Sequence, residues 1–113
     1  LKDLESRGLL ETTLVAIGTE FGRTPDINVN DGRDHYPAAY SCVLAGGGVK
    51  GGTVYGSTDG AGKKVKSDPM KPEDFLATIG YGMGLPLEEI IYSPTQRPFT
   101  FANHGEPATK IFG

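Results

Sequence analysis

At 113 residues with 37% hydrophobic side chains, the chain is sized for one domain or a piece of one, with material for a single modest core. Eleven basic against fourteen acidic residues leave a net charge of −3, and the basic residues are scattered, which excludes a surface built for nucleic acid. One cysteine, Cys42, excludes an internal disulfide and a multi-cysteine zinc site, and no apolar run approaches the ~20 residues that span a bilayer.

In chain order, Leu1, Leu4 and the Leu9–Leu10 pair flank charged Lys2, Asp3, Glu5 and Arg7, which predicts the end of an amphipathic helix stopped by Gly8. An opening of this kind is too charged for a signal peptide, and it reads as part of a larger domain of which residues 1–113 form a single segment. "TTLVAIGT" and "AYSCVLAGG" are continuous apolar and β-branched runs, expected as strands covered on both faces in a parallel sheet. Cys42, in the second run, reads as a small buried thiol. "GGGVKGGTVYG" predicts a turn and then a short strand at Thr53–Tyr55, and residues 57–71 a surface loop whose Lys63, Lys64 and Lys66 face solvent.

"KPEDFLATIGYGMGL" predicts a helix with Pro72 in its first turn and Glu73 and Asp74 near its positive end. Phe75, Leu76, Ile79 and Met83 form its expected apolar face, and Gly84–Leu85–Pro86 ends it. "RPFTFAN" predicts a last edge strand. The order helix, strand, loop, strand, helix indicates the α/β class. Seventeen glycines and eight prolines imply long, specifically shaped loops around these few elements.

The densest charge lies between the two apolar runs, in "EFGRTPDINVNDGRDHYP", residues 20–37. In open α/β sheets ligands gather at strand ends, and two neighbouring ends would bring Glu20 and His35 together. A carboxylate and an imidazole are usable ligands for zinc, manganese or a similar divalent ion. The alternative is that Glu20 pairs with Arg23 or Arg33 while His35 caps the loop. Arg23 and Arg33 suit bidentate recognition of a phosphate or sulfate ester, against an alternative of structural ion pairs with Asp26, Asp31 or Asp34. "GGGVKGGT" has the glycine spacing of a phosphate-cradling loop but Gly52 where lysine is needed, so it reads as a tight turn. His104, in "ANHGEP", reads as a surface or capping histidine.

The series "EFGRTP", "GRDHYP", "LAGGGVKGG" and the closing "FANHGEPATKIF" resembles the bacterial family catalogued as domain of unknown function 1501. That family is in turn similar to the alkaline phosphatase and sulfatase superfamily. The resemblance implies a segment of an alkaline-phosphatase-like sheet flanked by helices, the carboxyl-terminal portion of a larger domain. It sets Glu20 at the place of a metal-binding Asp, Phe21 at that of a metal-binding His, and His35 at that of a later His ligand. Asp34 and His35 are adjacent in an extended segment and point opposite ways, so Asp34 is expected to order the loop, hold a second ion or support the first.

By this resemblance the expected cofactor is a divalent ion (zinc, manganese, calcium or magnesium), and the expected activity is hydrolysis of a small-molecule or polysaccharide ester. The nucleophile is unknown and is expected outside this segment, which should be inactive alone. Two other functions stay open: a non-catalytic binding module on the same fold, favoured by Phe21, and a structural domain that self-associates through a sheet edge. Export to the periplasm or beyond is implied by the resemblance only.

Overall fold

A computed structural model describes all 113 residues. It is a small mixed α/β fold with two α-helices and four two-stranded sheets. The elements run α1 (Lys2–Ser6), a 3-10 turn (Leu10–Thr12), β1 (Val15–Ile17), β2 (Gly22–Arg23), β3 (His35–Tyr36), β4 (Val43–Ala45), β5 (Ser57–Thr58) and β6 (Val65–Ser67). Next come α2 (Pro72–Gly82), β7 (Ile91–Tyr92), β8 (Pro98–Phe99) and two further 3-10 turns at Phe101–His104 and Thr109–Ile111. β1 pairs with β4, β2 with β3, β5 with β6 and β7 with β8, the last three antiparallel. The chain divides into two compact units: Leu1–Val15, Leu44–Thr53 and Met70–Gly113 form one, Ala16–Val43 and Val54–Pro69 the other.

The first unit is organised by α2. Asp74, in its first turn, accepts hydrogen bonds from the Lys71 amide at 2.8 Å and the Glu106 amide at 2.9 Å. One turn on, the Thr78 hydroxyl donates to the Asp74 carbonyl at 2.6 Å and accepts from the Ala108 amide at 3.0 Å. Thr78 is completely buried, so both of its bonds are made where water cannot replace them. The helix thus holds residues 106–108 by polar groups from one face. It ends as expected: the Gly84 amide bonds the Tyr81 carbonyl at 3.0 Å, and Leu85 reaches back to Gly80 at 2.9 Å.

The buried face of α2 is not the apolar stripe expected from the sequence. Ala77, Thr78 and Gly80 are buried, while Leu76 is 49% and Met83 62% exposed. Small residues turn inward because large groups come close there. A Cβ on Gly80 would lie 2.5 Å from the Phe101 ring and 2.8 Å from Leu87. Helix propensity would favour alanine at Gly80; packing of Phe101 excludes it.

The glycine-rich turn also belongs to this unit and is structural. Gly46, Gly47 and Gly48 all have left-handed φ (69°, 53° and 83°), open without strain only to glycine. The Gly47 amide bonds the Leu10 carbonyl, the Lys50 amide the Ile111 carbonyl, and Gly113 returns a bond to Gly48. The Gly47 and Lys50 amides are thus spent inside the fold, as in a tight structural turn. A second run of left-handed residues lies at Ala102, Asn103 and His104 (φ 57°, 47° and 62°). Without glycine each such residue costs about 1 kcal/mol. The turn is held by the Thr100 hydroxyl, which accepts from the His104 amide at 3.0 Å.

Other expectations are revised. The apolar runs form β1 and β4, but neither is covered on both faces: Ile17 is 60% and Val43 52% exposed. Thr53–Tyr55 is not a strand, and the expected surface loop holds the hairpin β5–β6, joined across its start by the Ser57 and Ser67 hydroxyls at 2.8 Å. Of the last predicted strand, only Pro98–Phe99 is paired in a sheet. Cys42 is half-buried and free.

The Asp74 carboxyl is held below the usual carboxylate range, first by the Lys71 amide and next by that of Glu106. A depressed folded-state pKa contributes stability above the unfolded value of 3.8, lost as pH falls through the folded one. Asp74→Asn is expected to lower stability near neutral pH by about 1 kcal/mol, the low end for charge-assisted bonds at a partly exposed group. The loss should shrink as pH falls below 3.8, where the unfolded chain takes up the proton first, and disappear below the lower folded-state pKa, where the native carboxyl is protonated as well. Urea denaturation of both proteins across that range checks the size and the sign.

Candidate anion site

The polar stretch expected as a loop begins and ends as a β-ribbon. Gly22 pairs with Tyr36 and Arg23 with His35. The ribbon needs glycine at residue 22: an added Cβ would meet the Ala39 carbonyl and the Tyr40 Cβ, each at 2.8 Å. Past Arg23, the Thr24 amide bonds the Asp34 carbonyl at 3.0 Å, and the Asp34 amide bonds the Thr24 hydroxyl at 3.1 Å.

Asn28 organises the tip, a role that residue type alone does not announce. Its side-chain oxygen accepts from the Asn30 and Gly32 amides at 2.9 and 3.1 Å, and its amide nitrogen donates to the Asp34 carboxylate at 2.9 Å. This local bonding is what Asn offers a turn, and the "DINVNDG" composition carries that signal. Asp31, at φ 56°, turns the chain at the same tip. Asp34 accordingly orders the loop, one of the roles considered for it.

Phe21 and His35 stack with ring centroids 3.8 Å apart and planes 21° from parallel. The pairing explains the contact. Phe21 lies two residues before Arg23, whose partner is His35, so Phe21 and His35 are diagonal neighbours on one face. The Arg23 guanidinium carbon sits 5.7 Å from the Phe21 ring centroid, completing a cluster of imidazole, benzyl and guanidinium.

Neither arginine forms the ion pair considered from the sequence. Arg23 Nη1 donates to the Arg33 carbonyl at 3.2 Å. Arg33 Nη1 donates to the Thr24 carbonyl at 2.7 Å and to the Pro25 carbonyl. The chain's two ion pairs are Arg7–Asp3 and Lys63–Asp26. Asp26 is thus taken by Lys63, at 2.6 Å, and it holds the Lys63 ammonium above its ordinary pKa, chiefly by that hydrogen bond. Lys63 is therefore not simply a solvated lysine. Its carbonyl also accepts from the Tyr36 hydroxyl at 2.7 Å, joining the ribbon to the β5–β6 hairpin.

Glu20 stands exposed at a bend before β2 and makes no ion pair. Nowhere do three or more His, Cys, Asp or Glu side chains gather in a group able to hold a metal ion. What the ribbon does offer is two fixed guanidinium groups that no carboxylate neutralises.

Gly22→Ala is expected to destabilise the protein by about 2 kcal/mol, as overpacking against backbone does. The shielding of the His35 ring protons by Phe21 should vanish with it, a change that proton NMR reads directly.

One family model, described as "Protein of unknown function (DUF1501)", matches residues 1–112. Neither the curated proteins nor the solved structures contain a match to this chain.

Proposed function

This chain belongs to the DUF1501 family of proteins of unknown function, and from that premise we propose that it forms the anion-recognising part of a phosphate or sulfate ester hydrolase. The observation that carries this reading is the state of Arg23 and Arg33. Both guanidiniums are anchored through Nη1 by main-chain carbonyls, and neither meets a carboxylate within ion-pair range. A guanidinium has five N–H donors, so this anchoring leaves a fork available for a tetrahedral anion. Rigid backing by carbonyls orients that fork before a ligand arrives, which favours binding by reducing the ordering cost.

The likeness of "TEFG" and "GRDHYP" to the metal-binding stretches of alkaline phosphatases and sulfatases supports the ester class. On this reading residues 1–113 contribute to a larger alkaline-phosphatase-like sheet. A divalent ion is then held by Glu20 and His35 with donors from outside these residues, as is the nucleophile. The second reading, a non-catalytic binding module, is favoured by one observation. Phe21, at the position that the resemblance gives to a further ligand, cannot bind a metal and instead stacks on one face of the His35 imidazole.

Full-length parent protein tests the two readings together. Arg23→Ala and Arg33→Ala are each expected to raise KM for an aryl phosphate or aryl sulfate about tenfold or more, the loss of one charge-assisted contact. His35→Ala is expected to lower the bound metal measured by elemental analysis. A parent that holds no stoichiometric ion and turns over neither ester would sink the hydrolase reading and leave the binding module.

A further inference from the structure

The first unit has a cleft of about 200 Å³ lined by Ile90, Pro98, Phe99, Thr100, Asn103 and His104. Its floor is apolar and open, with Ile90 54% and Phe99 51% exposed. Its rim is polar and carries no Asp, Glu, Lys or Arg side chain. The Asn103 and His104 side chains make no hydrogen bond within the protein, and the Thr100 hydroxyl, which accepts from the His104 amide, keeps its own proton free to donate.

The backbone under that rim is informative. Elsewhere the chain answers a run of three left-handed residues with three glycines, Gly46 to Gly48. At the cleft it makes the same kind of run from Ala102, Asn103 and His104. Glycine would adopt these angles without strain, and it would remove both polar side chains. Strain kept in place by its surroundings is a mark of functional sites. Here the surroundings are Thr100, which caps the turn, and α2, against whose Gly80 the Phe101 ring lies.

We propose that this cleft binds a neutral pyranose sugar ring. An apolar floor beside an amide, an imidazole and a hydroxyl matches a molecule with a C–H face and hydroxyl edges, and few convergent polar groups over apolar lining is the usual composition of a ligand site. No Asp, Glu, Lys or Arg side chain lines the cleft, and the Arg97 guanidinium carbon lies 5.8 Å from the Phe99 ring centroid, so an anionic sugar is the necessary comparison. The proposal stands on residues of the first unit and is independent of the ester reading.

The test is an NMR titration of the full-length parent protein with methyl β-glucopyranoside and methyl α-mannopyranoside, with sodium glucuronate as the anionic comparison. A neutral glycoside is expected to give saturable shifts at Phe99, Asn103 and His104. Phe99→Ala and His104→Gly are each expected to weaken binding about tenfold or more. His104→Gly should do so with a melting temperature no lower than wild type, because glycine fits φ 62°. Absence of saturable shifts with both neutral glycosides would overturn the proposal. So would undiminished binding by His104→Gly, or binding of glucuronate alone, which would point to Arg97 beside the Phe99 ring.

Discussion

Thr78 is the one polar side chain wholly removed from solvent, and its hydroxyl joins two main-chain groups far apart in sequence, the Asp74 carbonyl and the Ala108 amide. Apolar burial is thin, with only Ala39, Ala77, Ala108 and Ile111 out of solvent. Side chains bonded to backbone therefore carry much of the definition of the loops. Asp74 and Thr78 do this for the carboxyl-terminal segment, Asn28 and Thr24 for the ribbon tip, Asp59 for the hairpin turn and Thr100 for the left-handed turn. Such bonds are individually modest, but a buried amide left without one is costly, so each fixes a backbone path more firmly than its net energy suggests.

The same physics prepares the two candidate sites. In the ribbon, carbonyl oxygens take one end of each guanidinium, so the positive charge is fixed in place without being cancelled. At the cleft, a hydroxyl capping the turn presents an amide and an imidazole that have no other partner. The two sites differ in chemistry. One offers permanent charge, and the other offers an amide, a hydroxyl and an imidazole beside an apolar floor.

Signals tied to covalent geometry or strong periodicity are legible in the amino-acid sequence. Pro72 with Glu73 and Asp74 marks the start of α2, Gly84 its end, and Gly8 the stop of α1, because proline and glycine act on φ wherever they stand. The β1 and β4 positions follow from β-branched apolar runs. The ribbon Gly22–Arg23 with His35–Tyr36 is not legible there, since it has no apolar alternation and depends on bonds between residues 24, 28 and 34. The buried face of α2 escapes the sequence pattern for a related reason. Hydrophobicity ranks Phe75, Leu76, Ile79 and Met83 first, yet the buried positions are Ala77, Thr78 and Gly80, and the Phe101 ring leaves no room for a Cβ at Gly80. At the candidate site, Arg23, Arg33 and His35 stand out by residue type, whereas the Asn28 scaffold and the Phe21–His35 stack require the register.

Gly48 has φ 83°, and a Cβ built on it meets nothing within 4 Å. What bars an ordinary side chain there is handedness and not lack of room. A mirror-image amino acid would accept that torsion natively and narrow the wandering of the denatured chain. Chemical synthesis with D-alanine at this one site is thus a way to stiffen the molecule through its handedness alone.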